Sequence, residues 1–162
     1  MRLGAGLAMF GIAALATGAH AQPPSTSAGA PITVVVEDIR IPGGMVRVDV
    51  CTRETFLKET CPYSGAAPAL VGTTRVTVEG VPPGTYAIQA FHDINNNNRV
   101  DQGLFGVPKE GLAFSNDAPL GLRGPSFDRA AISHGDEPQT LHLKLRHFRH
   151  ELPPSAASPH GD

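Results

Sequence analysis

Met45-Val46-Arg47-Val48-Asp49-Val50-Cys51 sets a valine at every second position with a charged residue between. Successive side chains of an extended chain point to opposite faces, so Val46, Val48 and Val50 share one face while Arg47 and Asp49 share the other. That is the pattern of a strand with one side in a core. Working outward, Val34 and Val36 repeat it upstream, and Val76 and Val78 repeat it downstream. Tyr86, Ile88 and Ala90 alternate with Ala87, Gln89 and Phe91 after Pro82-Pro83-Gly84, where proline fixes the chain direction and glycine supplies the turn. A last strand is expected over Thr140 to Phe148, with Leu141, Leu143 and Leu145 facing in and His142, Lys144 and Arg146 facing out. Gly43-Gly44 between the first two runs reads as a tight hairpin connection. Short strands separated by Gly/Pro turns predict an all-β fold, an antiparallel β-sandwich.

The two ends of the 162-residue chain have a different character. Residues 1–21 read as a signal peptide: Arg2, an apolar stretch from Leu3 to Leu15, then Ala19-His20-Ala21 as a small-x-small cleavage site. The apolar stretch is Gly-rich and short of the roughly 20 residues a spanning helix needs, so no transmembrane segment is expected after cleavage. Residues 22–30 are expected to be a flexible mature N-terminus, 31–150 the sandwich domain, and 151–162 a disordered Pro/Ser/Ala tail. The expected location is periplasmic or extracellular. A formal net charge of -2 with both signs scattered offers no basic surface for nucleic acid. Tryptophan is absent and there are two tyrosines, which removes common stacking platforms.

Cys51 and Cys61 are the chain's two thiols. In an oxidising compartment a pair closing a short loop reads as a structural disulfide, and the nine intervening residues do not suit C-x-x-C redox or metal chemistry. One short helix is expected at Arg53 to Glu59, inside that loop, with Thr52 as its cap. From Gly103 to Ser126 alternation fails although Phe105, Val107, Leu112, Phe114 and Leu120 make the segment apolar, so a long irregular loop is expected.

The stretch with the most chemistry is Asp93-Ile94-Asn95-Asn96-Asn97-Asn98-Arg99-Val100-Asp101. Calcium takes six to eight oxygens, and alternate side chains of a tight loop can supply them. Asp93, Asn95 and Asn97 stand at loop positions one, three and five, Arg99 offers its carbonyl at seven, and Asp101 stands at nine. Position six needs a left-handed backbone, which Asn98 tolerates best after glycine. Position twelve is Leu104 where a bidentate Glu would close the shell, leaving Glu110, Asp117, Asp128 or water for that part. Two carboxylates without that Glu predict weak calcium binding, with Kd of about 0.1 to 1 mM. The alternative is an Asn-rich tip held by Asx-turns without metal.

The Pro-Gly turn leading into a Tyr-containing strand resembles that of prealbumin-like (Ig-like) and carboxypeptidase-regulatory-type sandwiches. Phe91-His92-Asp93, the Asn-rich loop, Gly106-Val107-Pro108-Lys109-Glu110-Gly111, Phe114-Ser115-Asn116 and Gly124-Pro125-Ser126-Phe127 together resemble the bacterial exported family Domain of Unknown Function 2141 over about residues 32–148. Departures are Asn98, where the family has Gly, and Leu112-Ala113, where it has an aromatic followed by Gly. The resemblance implies a sandwich fold and export, with no activity attached.

The function expected is a binding or structural module, not an enzyme. As a binding module, the long loop with Glu110, Ser115, Asn116 and Asp117 meets an envelope or extracellular partner, a glycan or a protein. The alternative is a calcium-assisted hydrolase using Glu110, Asp93 and Asp101. Ser115 lacks the G-x-S-x-G elbow, however, and sequence neighbours do not make a cleft. His92 is expected to buttress the loop through its ring N–H. His142, His147 and His150 alternate faces along a strand and read as solvated.

Overall fold

The computed structural model describes residues 29–148 except 59, 104, 105 and 121–123. The expected signal peptide at 1–21, the C-terminal tail, Leu104 and His150 lie outside the described residues, as do all but the last two residues of the 22–30 segment. Among the described residues eight strands form two sheets: β1 (Gly29–Ile39), β2 (Met45–Cys51), β3 (Tyr63–Pro68), β4 (Gly72–Gly80), β5 (Gly84–Asp93), β6 (Leu112–Phe114), β7 (Ala131–His134) and β8 (Gln139–Lys144). One sheet runs β4-β1-β8; the other runs β3-β2-β5, with β6 and β7 following one another along the free edge of β5. Every pair is antiparallel except β1 with β8. Among the described residues no helix is long and apolar enough to cross a membrane.

The alternation does what it predicts. Ile32, Val34 and Val36 of β1, Val76 and Val78 of β4 and Leu143 of β8 pack against Val46, Val48, Val50, Ile88 and Ala90 of the opposing sheet. These side chains are essentially unexposed, and each valine, leucine and isoleucine contributes about 1.5–3 kcal/mol by burial of apolar surface. At one corner β3 comes so near β4 that a Cβ on Gly65 would stand 2.7 Å from the Thr77 carbonyl oxygen. At the other, Leu112 and Arg146 exchange backbone hydrogen bonds of 3.1 and 2.7 Å, tying the two sheets together.

Three expectations change. Gly43-Gly44 is not a hairpin, because β1 and β2 lie in different sheets and the turn carries the chain from one to the other. Both glycines take positive φ, and a Cβ on Gly44 would meet the Asp93 carbonyl oxygen at 2.2 Å. Residues 53–57 form turns rather than a helix: Phe56 N–H bonds the Thr52 carbonyl at 3.0 Å, but Leu57 at φ 61° takes the chain out of helical geometry. Among the described residues the single α-helix, α1, spans Phe127–Ala130. The long loop is also less irregular than expected, since it contains β6 and a 3-10 turn at Ser115–Asp117.

The outer face of the β3-β2-β5 sheet is half covered. Cys51, Phe56, Ala87, Phe114, Ala118 and Ala130 form a second core there, with Phe56 edge-on to both Phe114 and Phe127. The Cys51–Cys61 disulfide pins the 52–61 segment against this face. The rest of the face, around Arg47 and Asp49, carries no such cover among the described residues.

Candidate functional site

β5 ends at Asp93, and the Asn-rich loop leaves from it at one end of the sandwich. Asp93 is fully buried. Its Oδ1 accepts the Asn97 N–H at 3.0 Å, and its Oδ2 accepts the Asn98 N–H at 2.9 Å and the Arg47 Nε–H at 2.6 Å. Burial alone would raise the Asp93 carboxyl pKa; the Arg47 guanidinium and the Asn98 and Asn97 amides outweigh it and hold the group below the ordinary value. Asn95 Oδ1 accepts from Asn97 N at 3.3 Å, and Asn97 Oδ1 accepts from Arg99 N at 3.1 Å. Positions one, three and five thus fold the backbone around their own side-chain oxygens. The left-handed conformation expected at position six is present, Asn98 at φ 64°, with Asn96 also at φ 58°.

Asp101 is where the loop converges. Asn95 Nδ2 donates to its Oδ2 at 2.7 Å and Asn97 Nδ2 to its Oδ1 at 2.9 Å. Glu110, the first of the three candidates for closing the shell, lies against the loop and is buried. Its Oε1 accepts Ile94 N–H at 3.0 Å and its Oε2 accepts Asp101 N–H at 3.1 Å, so one carboxylate staples the two ends of the loop. Burial pushes the Glu110 carboxyl up; the two amides pull against it, and the Asp101 and Asp93 charges add to the rise. Asp117 pairs instead with Arg146 and Asp128 with Arg53.

Of the three carboxylates Asp93, Asp101 and Glu110, Asp93 is the one that meets the Arg47 guanidinium. Among the described residues no cationic side chain forms an ion pair with Asp101 or Glu110. Nor do three or more His, Cys, Asp or Glu side chains among them group as a metal-holding set. A cation here would depend on a mixed set of carboxylate, carboxamide and carbonyl oxygens. Such an all-oxygen set suits a hard ion. The two carboxamides present nitrogen to Asp101, but the terminal torsion of Asn is broad and roughly two-fold, so the same positions can present oxygen.

The other expected site residues do not gather with the loop. Ser115 is buried in the gap between β6 and β7, where Ile88 would lack an edge partner. Its Oγ accepts Ile88 N–H at 2.9 Å and donates to the Ala130 carbonyl. It substitutes for a missing strand residue and is no exposed nucleophile. Asn116 Nδ2 donates to the Ala131 carbonyl at 2.8 Å. Asp117 is exposed beside Arg146. Glu110 is thus the member of that set that adjoins the loop. His92 Nε2 lies 2.7 Å from the Gly43 carbonyl and so donates to it, joining the inter-sheet turn to the strand that carries the loop. His147 is likewise held, 2.9 Å from the Asp38 carbonyl, and is not solvated as expected, whereas His142 is exposed beside Glu37.

Sequence reasoning missed Arg47 and the sheet face around it. Arg47 stands opposite Phe91 and Ala66 in the ladders, and Asp49 opposite Gln89 and Ser64. Gln89 Nε2 donates to Asp49 Oδ2 at 3.0 Å. Burial raises the Asp49 carboxyl pKa, against the lowering pull of Gln89 and Arg47. An acid whose folded pKa is raised costs stability when ionised, fully so above the folded value and not at all below the unfolded one. Asp49→Asn, which keeps an acceptor for Gln89, is therefore expected to melt at or above the wild-type temperature at pH 7. The difference should close as pH falls below about 4; a melting curve at each pH checks this.

The profile of a bacterial family described as an uncharacterized protein conserved in bacteria, DUF2141, matches residues 34–142. No curated protein matches the chain. No solved structure matches it either.

Proposed function

The chain belongs to this family of uncharacterised bacterial proteins, and we propose that it is an exported β-sandwich module whose Asp93–Asp101 loop takes up calcium and thereby fixes one end of the fold for binding a partner outside the cytoplasm. The observation that carries the reading is the imbalance around the loop: the Asp101 and Asp93 charges act on Glu110, and among the described residues the one ion pair made by any of the three is that of Asp93 with Arg47. Asp93, Asn95, Asn97 and Asp101 supply side-chain oxygens and Arg99 a carbonyl, with Glu110 close enough to sense the added charge. Calcium there is a structural ion that offsets carboxylate repulsion. Export is supported by the Arg2, Leu3–Leu15 and Ala19-His20-Ala21 pattern and by a disulfide of the kind that persists in oxidising compartments. The hydrolase alternative gains nothing from the geometry, because Glu110 is buried with both oxygens bonded to N–H groups of the loop.

The test is thermal melting of chelator-treated chain across a calcium series. With Kd near 0.5 mM, about 10 mM calcium adds about 2 kcal/mol by mass action. Magnesium, which demands a rigid octahedral shell, adds less. Asp101→Ala removes the point on which the loop converges and should abolish the calcium increment. Superimposable wild-type curves with and without calcium would rule the proposal out.

A further inference from the structure

The uncovered part of the outer sheet face holds a depression of about 280 Å³, lined by Arg47, Asp49, Ser64, Ala66, Phe91 and Asn98. It arises from the sequence of β3, where Ser64-Gly65-Ala66 brings almost no side-chain bulk to the face. β2 and β5 supply its floor through the Arg47–Phe91 and Asp49–Gln89 pairs, and the Asn-rich loop supplies a wall through Asn98. Its size is at the lower end for small-ligand pockets, suited to a single ring more than to a length of peptide.

The two charged groups are held in place before any ligand arrives. Arg47 is fixed through Nε by the buried Asp93 carboxylate, which leaves its remaining N–H groups as donors. Asp49 is fixed through Oδ2 by Gln89, which leaves Oδ1 as an acceptor. Donor and acceptor thus stand two residues apart on one face of β2, beside the apolar surface of Phe91 and Ala66.

We infer that this depression is a binding site for a neutral sugar residue. Vicinal hydroxyls both donate and accept, so they can satisfy Asp49 and Arg47 at once, while the C–H face of a pyranose covers the exposed Ala66 and the small part of Phe91 that lines the depression. A carboxylate or phosphate fits less well: the charge of Arg47 is already balanced by Asp93, and Asp49 stands beside it. An ammonium group would have to lie against the guanidinium. The site goes beyond the calcium reading and does not require it, since its floor comes from β2 and β5 and not from the loop.

The test is a set of ¹⁵N–¹H spectra of the full chain, recorded in calcium and again in chelator, titrated with methyl glucoside, methyl galactoside and N-acetylglucosamine. Glucuronate and glucosamine serve as charged comparators. At least one neutral sugar should move the amides of Arg47, Asp49, Ser64 and Ala66 in a saturable way and bind more tightly than either charged comparator. Ala66→Phe fills the depression from an exposed position of β3, and Asp49→Asn removes the charged acceptor. Each should weaken binding by about tenfold or more. The inference fails if none of the three neutral sugars moves these amides, if a charged comparator binds better, or if Ala66→Phe binds like wild type. The Asn97 amide reports the cation separately, so a loop that ignores calcium and a sheet face that ignores sugar give different spectra.

Discussion

Replacing Asp93 by alanine is expected to cost about 3 kcal/mol of folding stability in calcium-free buffer. The residue is fully buried, and it is the shared acceptor for Asn97 N–H, Asn98 N–H and Arg47 Nε–H. Truncation leaves the guanidinium without its counter-charge and opens the turn at the left-handed Asn98. Breaking a wholly buried pair typically costs 3–5 kcal/mol. The low end applies because the Arg47 side chain is 25 % exposed and can reach water. Asp93→Asn keeps an acceptor but loses the charge, and should fall between. Urea unfolding monitored by circular dichroism reads the difference as a lower midpoint at unchanged slope. A loss below about 1 kcal/mol would mean that the carboxylate is solvated like a surface group. Calcium should not rescue the alanine variant, since position one of the loop is gone.

The second large effect is expected from the disulfide. Cys51→Ala together with Cys61→Ala should lower stability by about 2–3 kcal/mol, mainly by freeing the unfolded chain from a short closed loop. Local packing adds to this, because Cys51 is unexposed in the second core and the bridge holds Phe56 against Phe114 and Phe127. Arg53, which lies over the Phe127 ring at 4.5 Å and pairs with Asp128, belongs to the same pinned segment. Reduction of the wild type should lower the melting temperature to that of the double variant. Equal midpoints for oxidised and reduced chains would show that Phe56 and its neighbours hold the segment without the bridge.

Much of the framework can be read from residue types alone. The valines of β1, β2 and β4 and the Tyr86-Ile88-Ala90 face of β5 are core positions because period-two burial leaves a direct mark on composition. β3 and β7 leave none: Tyr63-Ser64-Gly65-Ala66-Ala67-Pro68 is made mostly of small residues, and Ala131–His134 is held chiefly by its backbone pairing with β5. The Gly43-Gly44 turn shows the limit of local reasoning, because two positive-φ glycines fit a hairpin and an inter-sheet crossing equally well. For the loop, the spacing from Asp93 to Asp101 predicts left-handed Asn98, and Glu110 is one of three acids flagged as able to close it. Arg47 is 46 residues from Asp93 and meets it only through the β2–β5 pairing. The one signal available in advance was a charge on the outward face of a strand, and that ordinarily means a solvated side chain. The sheet-face depression is equally hidden, since it depends on which small residues of β3 lie beside which charged residues of β2.

The proposed uptake of calcium by the Asp93–Asp101 loop is read by calorimetric titration of calcium chloride into chelator-treated chain. One site per chain with Kd of about 0.1–1 mM is expected, retained in Asp49→Asn and absent in Asp101→Ala. A heat trace no different from buffer, or binding that survives Asp101→Ala unchanged, would contradict it and leave the Asn-rich turn as a tip held by its own hydrogen bonds.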